Sequence, residues 1–415
     1  MTTLQRSILR LPPDASLPWG RAGSLRAWRA LRAEQAHQSL SSDPEHFSAT
    51  LAALGASARA WIAGAGDPEK PLALIVGRES RRRLSAAVGY AGLPSPSLRV
   101  IDIVHGGALM SAHKDAAGHA AQLMIDALTS HGADAVVVNM LPSASSLLPE
   151  IRRRAAAVRA SVFVGRAHAH WRLSIPPGGA DAVAARFSRK HRYNLRRAER
   201  LLCDAAGEDL NLSVCIDLAG ACRLNEAAKT IMAQSHLAGV HRSGTGKLWE
   251  SLTAESARAG RLRGYVLSVG TRPMAYQLGM IDGGTYHLVA TAFDQRWADL
   301  SPGQVLHFMV MRDLADRGLS TIDYGFGDAP YKQAHADSAE TEHLVTILAP
   351  TPRAIIAGAV MRAAASVDGA LRSAALESGS FDEIRRAWRA LLAAARASRA
   401  QAACPWLSCG QRAAR

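Results

Sequence analysis

One arrangement, written twice, constrains this 415-residue chain more than any other feature. Residues 263–270, 273–281 and 285–292 read as three short apolar strands. The turns between them, Gly270-Thr271-Arg272 and Asp282-Gly283-Gly284, have the composition that tight hairpins need. A helix over residues 301–317 follows, closed by Gly318, and residues 319–324 form the next strand. The first half carries the same plan. Residues 71–77 and 98–105 read as strands, and residues 115–130 as a helix with Leu123, Met124 and Leu128 on one face. Gly132 ends that helix, and residues 135–140 form a buried strand. Gly118 and Gly132 answer Gly303 and Gly318, and the two spacings differ by a single residue. Side-chain identity between the halves is poor, so the repeat is one of plan. The expected class is α/β (α+β), two tandem units with mixed, mostly antiparallel sheets.

The length accommodates two domains and an appendage. The expected division is an irregular lead-in over residues 1–20, a first unit over 21–170, a second over 171–350, and a basic Ala/Arg-rich helical tail over 351–415. In the tail, Ile384, Trp388 and Leu391 or Leu392 fall at helical spacing beside Arg385, Arg386, Arg389 and Arg396. That face either docks on the second unit or makes peripheral contact with a membrane. The start has no signal-peptide pattern, and the best apolar run, residues 354–361, is cut by Arg362. No transmembrane segment is therefore expected, and the chain reads as cytoplasmic. The five cysteines contain no CxxC pair, which gives neither a disulfide framework nor a cysteine metal site. No metal is expected, and no P-loop or dinucleotide fingerprint follows a strand.

Charge adds a second constraint. The formal net charge is +14, and of 49 basic residues only six are lysines, which leaves 43 arginines. Much of that excess reads as genome composition, but one concentration has a pattern. Residues 187–202 form a basic helix in which Arg189, Arg192, Arg196 and Arg200 share roughly one face. Arginine pairs bidentately with phosphate or carboxylate, so Arg192 and Arg196 are candidates to grip an anionic acceptor or a donor's phosphates. Base stacking would have only Tyr193 to use, which disfavours a nucleic-acid partner.

The loop into the helix at 301 carries the most chemistry. Ser301 suits an N-cap, Pro302 the first helical position, and Ser301 with Gln304 matches a capping box. Gly303 allows close approach to the backbone. A helix N-terminus with spare amides at Gly303, Gln304 and Val305 favours a phosphate group.

Three patches resemble a known group. They are residues 187–198 (FSRKHRYNLRRA), Ser301-Pro302-Gly303 with the apolar helix after it, and residues 322–328 (IDYGFGD) followed by Tyr331-Lys332. Together they resemble the divergent GNAT-fold acyltransferases that include the CelD-like, cellulose-biosynthesis-type acetyltransferases and the related Fem-type aminoacyltransferases. The usual GNAT loop, Arg or Gln before a glycine pair, is missing from both halves. The resemblance implies an acyl-coenzyme A donor, with acetyl-CoA the expected one. Its pyrophosphate would sit on Ser301, Gly303, Gln304 and Val305, and the pantetheine arm between the strands flanking the helix. It implies a small-molecule, saccharide or cell-envelope acceptor presenting an amine or hydroxyl. Candidate catalytic residues are Asp323, Lys332 and His287; Arg192, Arg196, Tyr331 and Asp328 are candidates for substrate binding. Lys332 would stabilise developing negative charge, and Asp323 or His287 would take the acceptor's proton. Asp323 reads equally well as a partner for an arginine, and His287 as a packed strand residue. The alternative donor is an aminoacyl-tRNA. The rival from another class is a non-catalytic binder of an anionic saccharide or nucleic acid.

Overall fold

Strands that are apolar at nearly every position need cover on both faces, and residues 262–269 and 274–280 of this chain have it. The computed structural model describes residues 17–89, 91–207, 209–235, 246–327 and 329–378. Helices α1 (Gly20–Ala33) and α2 (Pro44–Leu54) lead into strands β1 (Arg59–Asp67) and β2 (Lys70–Arg83). A two-residue pair, β3 (Ala87–Val88) and β4 (Ala91–Gly92), precedes β5 (Ser97–Met110). Then come α3 (Ala116–Thr129), β6 (Ala135–Pro142), α4 (Leu147–Ala157) and β7 (Ser161–Ser174). A connection of α5 (Gly179–Ala185), α6 (Arg189–Ala206) and β8 (Leu210–Cys215) follows. The plan then repeats as α7 (Leu218–Gln234), α8 (Lys247–Arg258), β9 (Leu262–Val269), β10 (Arg272–Asp282) and β11 (Thr285–Phe293). It closes with α9 (Pro302–Asp316), β12 (Thr321–Phe326), α10 (Pro330–His335), β13 (Ser338–Leu348) and α11 (Pro352–Glu377).

Eleven strands form one sheet in the order β1-β2-β5-β6-β13-β7-β12-β11-β10-β9-β8. Only β5 with β6 and β11 with β12 run parallel; the other pairings are antiparallel. The expected mixed, mostly antiparallel α/β class with a doubled plan is the one observed. The halves are joined by exchange: β7, the last strand of the first plan, pairs with β12 of the second, while β13 pairs with β6 of the first. The two exchanged strands pair with each other at the centre. Helices α3 and α4 cover one face of the first half through Ala120, Met124, Leu147 and Ile151. Helix α9 covers the corresponding face of the second through Val305, Leu306, Val310 and Leu314.

Neither β7 (SVFVGRAHAHWRLS) nor β13 (SAETEHLVTIL) was expected as a strand, since each alternates polar residues into a buried position. One helix bears on the membrane expectation. Helix α11 has 26 residues and a window of mean hydropathy 1.5, because alanines extend the apolar run past Arg362. By length and composition alone it is long and apolar enough to cross a membrane. Its Ala354, Ala357, Met361 and Ala364 pack on β5, β6 and β13, while Ile355, Ile356, Val367 and Leu371 are exposed. The tail residues Ile384, Trp388, Leu391 and the arginines beside them lie outside the described residues.

Candidate active site

The second half opens where a parallel pair stops pairing. Strands β11 and β12 are in register only at Thr285 with Thr321, Tyr286 with Ile322, and His287 with Asp323. Beyond that, β11 has one extra residue at Val289 relative to β10, a bulge that turns the strand. The strand β12 is irregular at Tyr324 against β7, and Gly325 takes the left-handed conformation (φ 65°). His287 and Asp323 therefore stand at the floor of a parting between two strands. Tyr286, Ile322 and Tyr324 pack into the α9 core, so alternation puts His287 and Asp323 on the opposite face.

Their side chains meet, with His287 Nδ1 3.3 Å from Asp323 Oδ2. Asp323 Oδ1 lies 2.7 Å from His170 Nε2 on β7, and His170 Nδ1 lies 2.7 Å from Glu342 Oε1 on β13. Glu342 Oε2 is 3.2 Å from His105 Nε2 on β5. The result is an alternating ladder, His287–Asp323–His170–Glu342–His105, crossing the middle of the sheet on five strands. His170 and Glu342 are each 1% exposed. Burial acts to raise the Asp323 carboxyl, but hydrogen bonds from His170 and His287 outweigh it and hold it well below the usual carboxylate range. Glu342 is brought down to about 2, where the pull of His105 and His170 overcomes the burial that opposes it. Burial lowers the His170 imidazole and its two carboxylates more than compensate, so it is raised. His287 Nε2 is buried and has no hydrogen-bond partner among the described residues.

The other expected site residues fall into distinct groups. Lys332 on α10 is 9% exposed and its Nζ donates to the Phe326 carbonyl at the end of β12. Tyr331 packs edge-on to Tyr324 with ring centroids 6.1 Å apart, and burial pushes its hydroxyl up to about 12. Ser301 does precede α9 with Pro302 next, but its backbone is left-handed (φ 52°) and its side chain makes no cap. The expected capping box is thus absent: the amides of Gln304 and Val305 bond to the Ser301 carbonyl at 3.0 and 3.2 Å instead. Gly303 lies against Phe293, whose ring would be 3.2 Å from an added Cβ. Helix α6 packs over α9 and the turn before it. Arg192 there donates to the carbonyls of Ala184 (3.1 Å) and Phe187 (2.9 Å), whereas Arg196 is exposed and unpaired among the described residues. Asp328 lies outside the described residues.

Residues not anticipated include His170, Glu342 and His105, and also His307 on α9. His307 Nε2 lies 2.8 Å from the Tyr324 hydroxyl, and burial takes its pKa down to about 3. A usable sign was present in the run Ala167-His168-Ala169-His170-Trp171-Arg172, where polar residues alternate as they do on a strand with a polar face.

The equivalent place in the first half is closed. After Ile103 pairs with Val138, Asn139 Nδ2 on β6 donates across to the Ile103 carbonyl at 2.7 Å. Residues 104–107 of β5 lie opposite a single residue of β2, and Gly106 in that excursion touches Ser39, which would sit 2.7 Å from an added Cβ.

Residues 189–333 match the family model described as the acetyltransferase (GNAT) domain. The chain is similar in structure to FemX, at 10% identity and a TM-score of 0.51, over 78% of this chain and 95% of FemX. It is also similar to L-PGS from Bacillus licheniformis (10% identity, TM-score 0.48, 81% and 96% covered). A tandem GNAT protein of the clavulanic acid biosynthesis pathway aligns at 12% identity and a TM-score of 0.45, over 81% and 98%. A search of curated proteins finds no match. The likenesses are of fold: residues 189–333 match the acetyltransferase (GNAT) domain model, and the likeness of fold to FemX covers 78% of the chain.

Proposed function

We propose that this protein transfers an acyl group, acetyl in the simplest case, from coenzyme A to an amine or hydroxyl of a small-molecule or saccharide acceptor. The observation that carries the reading is the parting of β11 and β12 directly above a buried His–Asp pair. The extended thioester arm would lie in that parting and bond to backbone groups of residues 288–291 that face away from β10. The amide of Gly303 and the α9 N-terminus would meet the pyrophosphate, with Arg196 above it. His287 is the base in this reading, and Asp323 orients it. Asp323 already holds two imidazoles and stays ionised, which suits a positioning carboxylate better than a proton acceptor. An unpartnered buried nitrogen costs roughly 1–3 kcal/mol, and a hydrogen bond from the acceptor to His287 Nε2 would recover it. The acceptor's nitrogen or oxygen attacks the thioester carbonyl, its proton passes to His287 Nε2, and the carbon–sulfur bond breaks to release the thiolate, which is then protonated. Lys332 lies beside the β12 end, where a cation favours the charge that develops. A saccharide or cell-envelope acceptor of the CelD-like kind rests on the resemblance alone.

Calorimetric titration with acetyl-CoA tests the donor, and thiol release over a panel of amines and amino sugars tests turnover. Binding with turnover lost in His287→Gln supports the reading; no acetyl-CoA binding at millimolar donor sinks it. One observation favours a second donor, an aminoacyl-tRNA: Arg189, Lys190, Arg196, Arg197 and Arg200 on α6 are exposed and form no ion pairs among the described residues. RNA affinity with a steep salt dependence, lost when Arg196 and Arg197 are both alanine, would select it.

A further inference from the structure

We propose that His105, His170 and Glu342 form a binding site for one divalent transition-metal ion, zinc or cobalt serving as probe. The three side chains come from β5, β7 and β13, where the exchanged strands meet, and their ligating atoms lie within 4.8 Å of one another. His105 Nε2 and Glu342 Oε2 are 3.2 Å apart, close to the ~3.3 Å between ligands that each sit 2.0–2.1 Å from a tetrahedral zinc ion. His170 Nδ1 and Glu342 Oε1, at 2.7 Å, need a small opening.

Two further observations point to an ion rather than to packing. Each histidine has its remote nitrogen already held: His170 Nε2 by Asp323 Oδ1 at 2.7 Å, and His105 Nδ1 by Ser39 Oγ at 2.9 Å. Outer partners of this kind fix the tautomer and ring orientation of metal-binding histidines. Glu342 is 1% exposed and directs one carboxylate oxygen to each ring, Oε2 to His105 Nε2 at 3.2 Å and Oε1 to His170 Nδ1 at 2.7 Å. The Phe326 ring lies 5.0 and 4.5 Å from the His105 and His170 rings and shields the site from water on that side.

Charge points the same way. Asp323, Glu342 and Glu340 bring three negative charges together, and Arg172 is the one Arg or Lys paired with them among the described residues. A cation held between the His105 and His170 rings would lie among these carboxylates, where its charge is favoured. Arg172 also sets a condition. Its Nη2 reaches His170 Nδ1 at 3.1 Å and must turn toward Glu340, already bonded to Nη1 at 3.1 Å, to admit an ion. The inference is independent of the acyl-transfer reading, because ion binding is measured without turnover.

The test is titration of the tag-free, chelator-dialysed protein with Zn²⁺ against a competing indicator, and with Co²⁺ by visible absorption. One ion per chain is expected, with cobalt bands of a four- or five-coordinate site. Glu342→Gln and His105→Ala should abolish tight binding. Asp323→Asn, which removes an outer partner, should weaken it about 10–100-fold. Arg172→Gln should tighten it, and His113→Ala, an exposed histidine elsewhere, should leave it unchanged. Melting curves identify any variant that fails to fold, and Arg172→Gln and Asp323→Asn then decide the question from opposite directions. Absence of binding, a cobalt spectrum like the aqueous ion's, or binding indifferent to these substitutions would overturn the proposal.

Discussion

The partings of β5 from β6 and of β11 from β12 have one topology and opposite fates. In the first, an asparagine amide spans the gap and a serine is pressed against a glycine where the strand swells. In the second, a histidine–aspartate pair forms the floor and no comparable side-chain bridge is seen among the described residues. The difference teaches that a repeated fold need not repeat its site. The first half retains the parting of its parallel strands and contributes to the second half through His105 on β5 and the exchanged strand β7.

That contrast can be broken most sharply at its floor. His287→Gln should lower kcat by about 10²–10⁴ while donor affinity holds, the range for loss of a positioned general base. Asn139→Ala, at the corresponding gap of the first half, should reduce the melting temperature and leave kcat nearly unchanged. Steady-state kinetics on the pair is the check, and equal losses in both would dissolve the distinction. Lys332→Ala should reduce kcat on the order of tenfold to a hundredfold, with KM less affected, because a cation near developing charge acts mainly in the transition state.

A smaller effect separates the two helix starts. Gly303→Ala puts a methyl 3.2 Å from the Phe293 ring and should raise KM for the acyl-CoA donor severalfold. Gly118→Ala on α3 puts a methyl 3.1 Å from Arg154 Nη2 and 3.5 Å from Glu150 Oε2, and should leave KM unchanged. Titration of stability with acid gives the smallest and least localised effect. Burial keeps His46 and His335 neutral down to about 4, and His307 to about 3. The unfolded chain takes up these protons near 6.5, so it binds more protons than the fold between about pH 6.5 and 4. Stability should therefore fall as pH drops through that window, by several degrees in Tm, and His307→Gln should flatten part of the slope.

The sequence made the hairpins of β9, β10 and β11 and the helix α9 legible, because glycine turns and apolar periodicity are local signals. It also located His287 and Asp323 on adjoining strands. It did not reveal their contact, which depends on a three-residue register between β11 and β12. His170 and Glu342 were hidden for a deeper reason. Polar alternation in β7 and β13 ordinarily marks a solvent face, yet here each strand lies between two others at the centre of the sheet. Exchange of strands between the halves is a long-range event with no local signature. Arg192 shows the converse error: its basic helix suggested ligand binding, while its guanidinium ties down two carbonyls of the preceding turn.

In the proposed function the β11–β12 parting, and not its counterpart, receives the thioester donor. Hydrogen exchange of the protein with and without acetyl-CoA tests this most directly. The account predicts donor-dependent protection in residues 288–293, 303–306 and 323–326, with residues 100–110 and 135–142 unchanged. Protection confined to the first half, or no protection at saturating donor, would contradict it.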